Sequence, residues 1–389
     1  MTVVQGQTDA AFEPVREVLE QQFEKDMHIG AGLAVYHRGR KVVDLWGGLA
    51  DDETKRPWER DTMAVSFSTT KGLAAACIHL LAERGRIDYA DPVAKYWPEF
   101  AQNGKSNISV YHVLTHQAGI PQVPASLSSR DLLDWDRTVA AIAELTPLWE
   151  PGAETGYHAL TFGWLTGELV RRIDGRSIGR FFAEEIASPL GITEMFIGTP
   201  ASVEPKIAKL KSRIVMTPEM QAQMAQFTSG ESLTARALGP TDGLLNDIID
   251  SPEGHQAEIP AANGVMSARD LARLYACYAG YGELDGVRLF TESRVRTMSE
   301  QQTFRPDKVI ILPVGWALGY MTGGTPGWPQ GPRKTSFGHA GFGGSIGYAD
   351  PEIGMSFGLV LNALSLDLVG AGRTAALADV ARACAEAAG

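Results

Sequence analysis

The chain has 389 residues, of which 44% are hydrophobic and 21% are charged, so it contains enough apolar material for a large core. Its 35 basic and 46 acidic residues give a formal net charge of −11, and without a long basic cluster this balance argues against nucleic acid as a partner. No run approaches the roughly 18 apolar residues that a membrane-spanning helix requires, which argues against membrane insertion.

The start of the chain has the pattern of a polar lead into an amphipathic helix and lacks the segments of a secretory signal, so a cytoplasmic location is expected. Residues 31–48 then form two apolar-rich runs around a polar turn at Gly39, which is the pattern of a β-hairpin. Residues 70–88 place apolar side chains at helical spacing and end near Gly85. A helix is therefore predicted to begin directly after Ser68.

Helical periodicity continues at 160–173, 178–187 and 267–280, between loops rich in proline and glycine. Residues 345–363 return to two strand-like runs around an Asp-Pro turn, and an alanine-rich helix follows them. The pattern thus places strands at both ends of the chain and helices in its middle.

This arrangement predicts an α+β fold, in which one antiparallel sheet is flanked by terminal helices and joined to an inserted, mainly helical domain. We expect the sheet domain to comprise residues 1–60 and 285–389, and the helical domain residues 61–284. The active site is expected between the two. Residues 200–262 are the least regular stretch and are interpreted as a lid or loop region.

The three cysteines, Cys77, Cys277 and Cys384, lie far apart and have no CxxC spacing, which favours reduced thiols that serve as packing residues. No zinc or calcium motif is present and the eight histidines are scattered, so neither a metal nor a cofactor is expected.

A Ser-x-x-Lys sequence, Ser68-Thr69-Thr70-Lys71, stands at the predicted start of a helix, where positions i and i+3 share one face. A serine hydroxyl is a weak nucleophile until a base takes its proton, and a lysine whose pKa is depressed by burial can be that base. Such a match also arises by chance, in which case Ser68 starts a helix and Lys71 lies on the surface.

Two further segments give the motif a context. Tyr157 follows a Pro-Gly turn and could share a proton with Lys71, although a tyrosine can equally be a packing residue. The glycine-rich segment 337–344 precedes a strand and could present a main-chain N–H group to an oxyanion, although it could also be a flexible turn.

Together, in this order, these elements resemble the β-lactamase-like serine hydrolases, particularly the family VIII carboxylesterases related to class C β-lactamases. The resemblance covers nearly the whole chain, and so long an ordered set is more specific than any single motif. The matching stretches are DLWGGLADD near residue 50, Ser68 to Lys71, AERGRIDYADPVAKYWPEF, HVLTHQAGIP, PGAETGYHALTFGW, AANGVMSARDLARLY and FGHAGFGGSIGYADPE.

The resemblance implies a β-lactamase and penicillin-binding-protein-like fold and a covalent acyl-enzyme. It implies that Ser68 attacks the carbonyl, that Lys71 accepts its proton, and that Tyr157 acts with Lys71 as general base and acid. It further implies that the oxyanion is held by the main-chain N–H groups of Ser68 and Phe342.

Two departures from the lactamase pattern favour the esterase branch. Tyr157-His158-Ala159 replaces Tyr-x-Asn, and His339-Ala340-Gly341 replaces Lys-Thr-Gly. A neutral His339 supplies a hydrogen bond but no fixed positive charge for the carboxylate of a β-lactam. Lys334-Thr335-Ser336 lies nearby, but Gly341 permits the close approach that Ser336 does not.

Other candidates are interpreted as structural. Ser345 lies in a Gly-x-Ser-x-Gly match, but no histidine follows it, as the α/β-hydrolase order requires. His112 and His116 are assigned to a buried turn. Trp149 and Trp316 are expected to line the substrate pocket, whose shape should depend on the loops around 120–150 and 200–260.

The leading hypothesis is hydrolysis of a small-molecule carboxylic ester with a short acyl chain through a Ser68 acyl-enzyme. The same scaffold could serve a β-lactamase, an amidase or a transacylase. A binding protein without activity is the alternative from another class. The oligomeric state does not follow from the sequence.

Overall fold

The computed structural model describes residues 3–214, 216–219, 232–240, 242–325, 327–366 and 372–389. The strands of these segments are, in chain order, β1 (Gln5–Thr8), β2 (Gly30–His37), β3 (Arg40–Asp51), β4 (Arg56–Pro57), β5 (Ala64–Val65), β6 (Met195–Phe196), β7 (Lys211–Ser212), β8 (Val265–Met266), β9 (Glu283–Leu284), β10 (Val287–Arg288), β11 (Thr303–Pro306), β12 (Pro313–Trp316), β13 (Met321–Thr322), β14 (Phe337–Ala340), β15 (Ile346–Asp350), β16 (Met355–Leu361) and β17 (Ala363–Leu364).

The α-helices of the same segments are, in chain order, α1 (Glu13–Glu24), α2 (Thr70–Glu83), α3 (Val110–Leu114), α4 (Trp135–Ala143), α5 (Thr161–Asp174), α6 (Ile178–Phe182), α7 (Leu233–Leu238), α8 (Leu245–Ile249), α9 (Pro252–Gln256), α10 (Ala268–Ala279), α11 (Glu292–Ser299) and α12 (Arg373–Ala387).

A ten-stranded antiparallel sheet forms the centre of the molecule, in the order β1-β3-β2-β16-β15-β14-β13-β12-β11, with β4 paired to the end of β3. The predicted hairpin at Gly39 is β2 and β3, and its turn places Arg38 and Gly39 at φ 51° and 76°. In the middle of the sheet β2 pairs with β16, so that Leu33 lies opposite Leu359. The prediction of one sheet assembled from both ends of the chain is confirmed.

The two faces of this sheet bury different helices, as the alternation of side chains along a strand requires. Leu33 and Val35 of β2 pack in an apolar cluster with the terminal helices α1 and α12. Ala34 and Tyr36 pack in the main core with α10, which lies across β2, β15 and β16. Because α10 falls within the predicted helical segment 61–284, the predicted domain boundaries stay a prediction.

Helix α2 lies at the centre of the helical part, where every residue from Thr70 to Ala82 is buried. Helices α5 and α6 pack on it, and α6 continues as a π-helix over Ala183–Ala187. The predicted helices are therefore present. All three cysteines are unpaired and buried, as expected of packing residues. None of the helices in the described ranges is long and apolar enough to cross a bilayer.

The stretch 200–262 was predicted to be irregular, and the part of it that the structure describes contains short elements, α7, α8, α9 and β7. Residues 215, 220–231 and 241 lie outside the described residues. Helices α7 and α8 line the cleft that is described below.

Candidate active site

Ser68 lies on a short 3-10 turn, Phe67–Thr69, that leads directly into α2. The preceding residue, Phe67, has a φ of 45°, a strained conformation that a bulky side chain rarely adopts. The Ser68 side chain is partly exposed at the cleft, whereas Lys71, one helical turn later, is completely buried. The predicted i and i+3 arrangement is therefore present.

The amine of Lys71 is held by three oxygen atoms. Its Nζ lies 3.0 Å from Ser68 Oγ, 2.7 Å from the carbonyl oxygen of Ala159 and 2.9 Å from that of Ala261. Burial lowers the pKa of Lys71 well below its usual value, because the charged ammonium form would lose its hydration in the protein interior. A neutral amine can donate its two hydrogens to the carbonyls and keep its lone pair for the Ser68 proton.

The phenol of Tyr157 completes the group. Lys71 Nζ lies 4.7 Å from the centroid of the Tyr157 ring. Burial raises the pKa of Tyr157, the nearby charge of Asp307 adds to the increase, and a hydrogen bond with the Ser68 side chain opposes it. A protonated phenol beside a neutral amine can pass a proton to a leaving group and recover it from the lysine.

Aromatic rings surround Tyr157 on the side away from the cleft. Trp316 stacks on it with a centroid distance of 5.5 Å and an interplanar angle of 11°, and His116 meets it edge-on at 5.0 Å. His116 Nδ1 accepts a hydrogen bond from the backbone N–H of His158, 3.1 Å away. His116 was predicted to be structural, and its position behind Tyr157 agrees with that role.

The expectation that tryptophans line the substrate pocket is wrong. Trp316 is fully buried behind Tyr157, and Trp149 packs against Gly119 and Gly156. Neither is among the residues that line the cleft. An aromatic residue in a loop satisfies the same sequence pattern whether it faces the substrate or supports the residue that does.

The glycine-rich segment 337–344 lies against the turn that carries Ser68. Phe342 and Phe67 contact each other edge to face with a centroid distance of 5.5 Å, and Phe342 and Ser68 both line the cleft. Gly341 passes so close that a Cβ atom there would lie 2.1 Å from the carbonyl oxygen of Ser66. The structure therefore brings Ser68 and Phe342, the residues of the two predicted oxyanion donors, to the same cleft, next to a contact between Gly341 and Ser66 that only glycine permits.

Substitution of Gly341 by alanine should displace this segment from Ser68 and lower kcat/KM by about 100-fold, the cost of losing one oxyanion donor. Esterase kinetics and thermal unfolding would test this. Gly32→Ala is the matched control, because a Cβ at Gly32 meets its nearest atom at 3.4 Å, an ordinary contact. Equal activity of both variants would contradict the close-approach argument.

His339 lies behind Tyr157, with a centroid distance of 6.1 Å, and does not line the cleft. Its Nδ1 lies 2.8 Å from the carbonyl oxygen of Ala340, and burial lowers its pKa to about 3, so the ring is neutral at physiological pH. The structure thus brings His339 to the catalytic group but on the side of Tyr157, where a direct contact with substrate has no support.

The sequence candidates that were not assigned to the active site, the Lys334-Thr335-Ser336 triplet and Ser345, do not line the cleft. Lys334 is exposed, Thr335 donates to Glu352, and Ser336 donates to the carbonyl of Gln330. Ser345 is buried, and its carbonyl oxygen accepts from Thr69 Oγ1 at 3.2 Å.

His112 belongs to a helix start rather than to the catalytic group. Its Nδ1 accepts from the backbone N–H of Ser109, and its own N–H donates back to Ser109 Oγ, which caps α3. The structural interpretation of His112 agrees with this position.

The cleft above Ser68 has a volume of about 320 Å³, and none of the described residues that line it has a charged side chain. Its wall opposite the nucleophile comes from α7, α8 and the segment between them, and none of it from the loops at 120–150. The lining residues are Phe67, Ser68, Tyr157, Ala159, Leu160, Ala235, Leu238, Gly239, Pro240, Gly243, Leu245, Asn246, Ile249, Ala262 and Phe342.

The sequence did not predict the backbone carbonyl groups that contact Lys71 or the aspartate that contacts Tyr157. The carbonyl oxygens of Ala159 and Ala261 contact Lys71, but no side-chain pattern announces them. Asp307, which accepts a hydrogen bond from the backbone N–H of Tyr157, stands in a loop without any motif.

Comparison with known proteins gives consistent results. The family described as Beta-lactamase matches residues 15–382. "Esterase/beta-lactamase LipL" of Mycobacterium tuberculosis is 38% identical over 378 residues, which are 94% of this chain and 84% of that protein. A crystal structure of a family VIII carboxylesterase is 36% identical, with a TM-score of 0.87 over 98% of this chain and 100% of that one. A penicillin-binding protein homolog from Caulobacter crescentus is 35% identical, with a TM-score of 0.87 over 98% and 100% of the two chains.

Proposed function

Because the chain belongs to the beta-lactamase family, we propose that it is a serine carboxylesterase that hydrolyses small-molecule esters through an acyl-enzyme on Ser68. One observation carries the proposal: Lys71 Nζ lies 3.0 Å from Ser68 Oγ, beside a cleft whose lining, in the part of the chain that the structure describes, is uncharged. Nucleophile and base are already within proton-transfer distance.

In acylation, Ser68 Oγ attacks the ester carbonyl carbon while its proton passes to the lone pair of Lys71 Nζ. The negative charge on the former carbonyl oxygen is stabilised by the N–H groups of Ser68 and Phe342. The bond between the carbonyl carbon and the alkoxy oxygen then breaks. Tyr157 gives its proton to the departing alcohol and recovers one from Lys71, so the acyl-enzyme forms with all groups neutral.

In deacylation, a water molecule attacks the acyl carbon and gives its proton to the Tyr157–Lys71 pair. The second tetrahedral intermediate uses the same two N–H groups. The bond to Ser68 Oγ then breaks, Ser68 regains its proton, and the carboxylic acid leaves. Each residue acts in reverse order in the second half, as a shared acid and base must.

Electrostatics favour a neutral ester over a β-lactam. A β-lactam antibiotic carries a carboxylate, which a positive charge in the site would bind, and the lining residues within the described ranges supply none. Burial keeps His339 neutral, with a pKa of about 3, so it cannot substitute for the lysine of a lactamase triplet. The volume of about 320 Å³ is sufficient for a small-molecule ester.

Covalent labelling tests the proposal. After incubation with a p-nitrophenyl phosphonate, intact-mass spectrometry should show one adduct, and peptide mapping should place it on Ser68. The enzyme should also release p-nitrophenol from p-nitrophenyl acetate much faster than it opens nitrocefin. A preference for nitrocefin would favour a β-lactamase. Faster acyl transfer to an added alcohol than to water would favour a transacylase, and cleavage of anilides would favour an amidase. An adduct on Ser345 would contradict the assignment of Ser68 as the nucleophile. The absence of any adduct would favour the alternative of a binding protein without activity.

A further inference from the structure

We propose that Asp307 is a positioning residue that fixes the Tyr157 backbone for proton transfer to the leaving alcohol. This inference rests on the proposed function. Asp307 lies at the turn between β11 and β12, the hairpin at the edge of the central sheet. The turn reaches from this edge to the loop that carries Tyr157.

A single oxygen atom of Asp307 joins the two segments. Its Oδ1 accepts hydrogen bonds from the backbone N–H groups of Tyr157 at 2.9 Å, of Val309 at 2.8 Å and of Ile310 at 2.9 Å. The last two bonds hold the hairpin turn closed. The first one extends the same arrangement to Tyr157, so the position of the phenol depends on the geometry of the turn.

The cost of burying this side chain argues for a specific role. Asp307 is 2% exposed, and no lysine or arginine forms an ion pair with it in the ranges that the structure describes. Burial raises its pKa, and the hydrogen bonds from Ile310, Tyr157 and Val309 oppose the increase. An isolated buried carboxylate is destabilising unless its hydrogen bonds are well made, and an uncharged residue could close the turn at lower cost.

The rest of the hairpin holds the same loop. The backbone N–H of Lys308 donates to the carbonyl of Thr155 at 2.8 Å. The Arg305 guanidinium donates to Thr155 Oγ1 at 2.7 Å and to the carbonyl of Ala153 at 3.0 Å. The chain from 152 to 157 is therefore tied to the hairpin at several points, and Asp307 supplies the contact nearest to the reacting group.

The charge of Asp307 also acts on the phenol. The groups that face Tyr157 are Lys71 from α2, Ser68, His116, His339 from β14, and Asp307 from the hairpin turn. The first of these is neutral when its pKa is depressed, and both histidines are buried. Burial is the main reason that the pKa of Tyr157 is raised, and the negative charge of Asp307 adds to this increase.

Two substitutions separate position from charge. Asp307→Ala removes the acceptor, and kcat for an alkyl ester such as ethyl acetate, whose leaving alkoxide needs a proton, should fall by about 100-fold with KM nearly unchanged, the cost of a misplaced catalytic group. The loss for p-nitrophenyl acetate, whose phenolate leaves without a proton, should be smaller. Asp307→Asn keeps an acceptor oxygen, and most of the activity should return. Because the negative charge is lost, the alkaline limb of its pH profile should move to lower pH.

Asp270→Ala is the matched control, since Asp270 is 5% exposed and its Oδ2 accepts the N–H groups of Thr193 and Glu194, outside the cleft. It should lose thermal stability and keep kcat. If Asp307→Ala unfolds at room temperature, the pH profile of Asp307→Asn still decides. An unchanged profile together with an unchanged kcat would reduce Asp307 to a turn cap. A wild-type protein without ester turnover or a Ser68 adduct would instead overturn the proposed function.

Discussion

Replacement of Ser68 by alanine should abolish ester hydrolysis, with a fall in kcat/KM of at least about 10⁴-fold, because the nucleophile and its base act as one unit. The side-chain oxygen that is removed is the proposed site of acylation, and it lies 3.0 Å from the Lys71 amine. The variant should also fail to form the phosphonate adduct. Steady-state hydrolysis of p-nitrophenyl acetate and intact-mass spectrometry would measure both effects.

Ser345→Ala is the control for this experiment. Its side chain is buried, and the contact that it makes with Thr69 uses the backbone carbonyl, which alanine retains. Wild-type kinetics are therefore expected. Full activity in the Ser68 variant, or loss of activity only in the Ser345 variant, would show that the nucleophile has been assigned to the wrong turn.

Replacement of Lys71 by methionine should lower kcat by about 10³-fold, within the range that general bases contribute. Methionine fills a similar volume and cannot accept the Ser68 proton. The pH profile should change as well. In the wild type, Lys71 must be unprotonated, so kcat/KM should rise with pH through its pKa, which burial places well below the usual lysine value. This acidic limb should be absent from the residual activity of the variant.

The chain offers a matched control in Lys105, which is also fully buried and whose Nζ donates to the carbonyls of Gln102 and Leu145. Burial lowers its pKa to about 8. Lys105→Met should cost stability but leave kcat and the pH profile unchanged. If both lysine variants lost activity in proportion to their loss of stability, a structural role for Lys71 would explain the result and its role as a base would be contradicted.

Local patterns in the sequence predicted much of the fold. The β2–β3 hairpin follows from two apolar runs around Gly39, and α2 follows from helical spacing up to Gly85. By contrast, no local signal pairs β2 with β16, or places the edge hairpin β11–β12 beside Tyr157. Pairings between distant segments depend on how whole faces pack, and periodicity describes only one segment at a time.

The candidate site divides in a similar way. Ser68 and Lys71 are predicted by their own spacing, because a helix places i and i+3 on one face. Tyr157 was a candidate because it follows a Pro-Gly turn, but a lone tyrosine can equally be a packing residue, so its role was implied only by the family resemblance. Asp307 was missed because an aspartate in a turn usually caps that turn, and only the structure shows the additional hydrogen bond. Trp316 was predicted to line the substrate pocket but stacks on Tyr157, because the sequence does not show in which direction a side chain points.

The pairing of β2 with β16 has a consequence for biosynthesis. Strand β2 begins at Gly30, but β16, which pairs with its open edge, ends at Leu361. This edge therefore has no partner until the ribosome has synthesised the chain as far as β16. During that interval the hairpin can form, yet its apolar face and free backbone groups remain available to other chains. The sheet therefore cannot close at this edge before residue 361 has been synthesised, and pairing over so long a sequence separation is intrinsically slow.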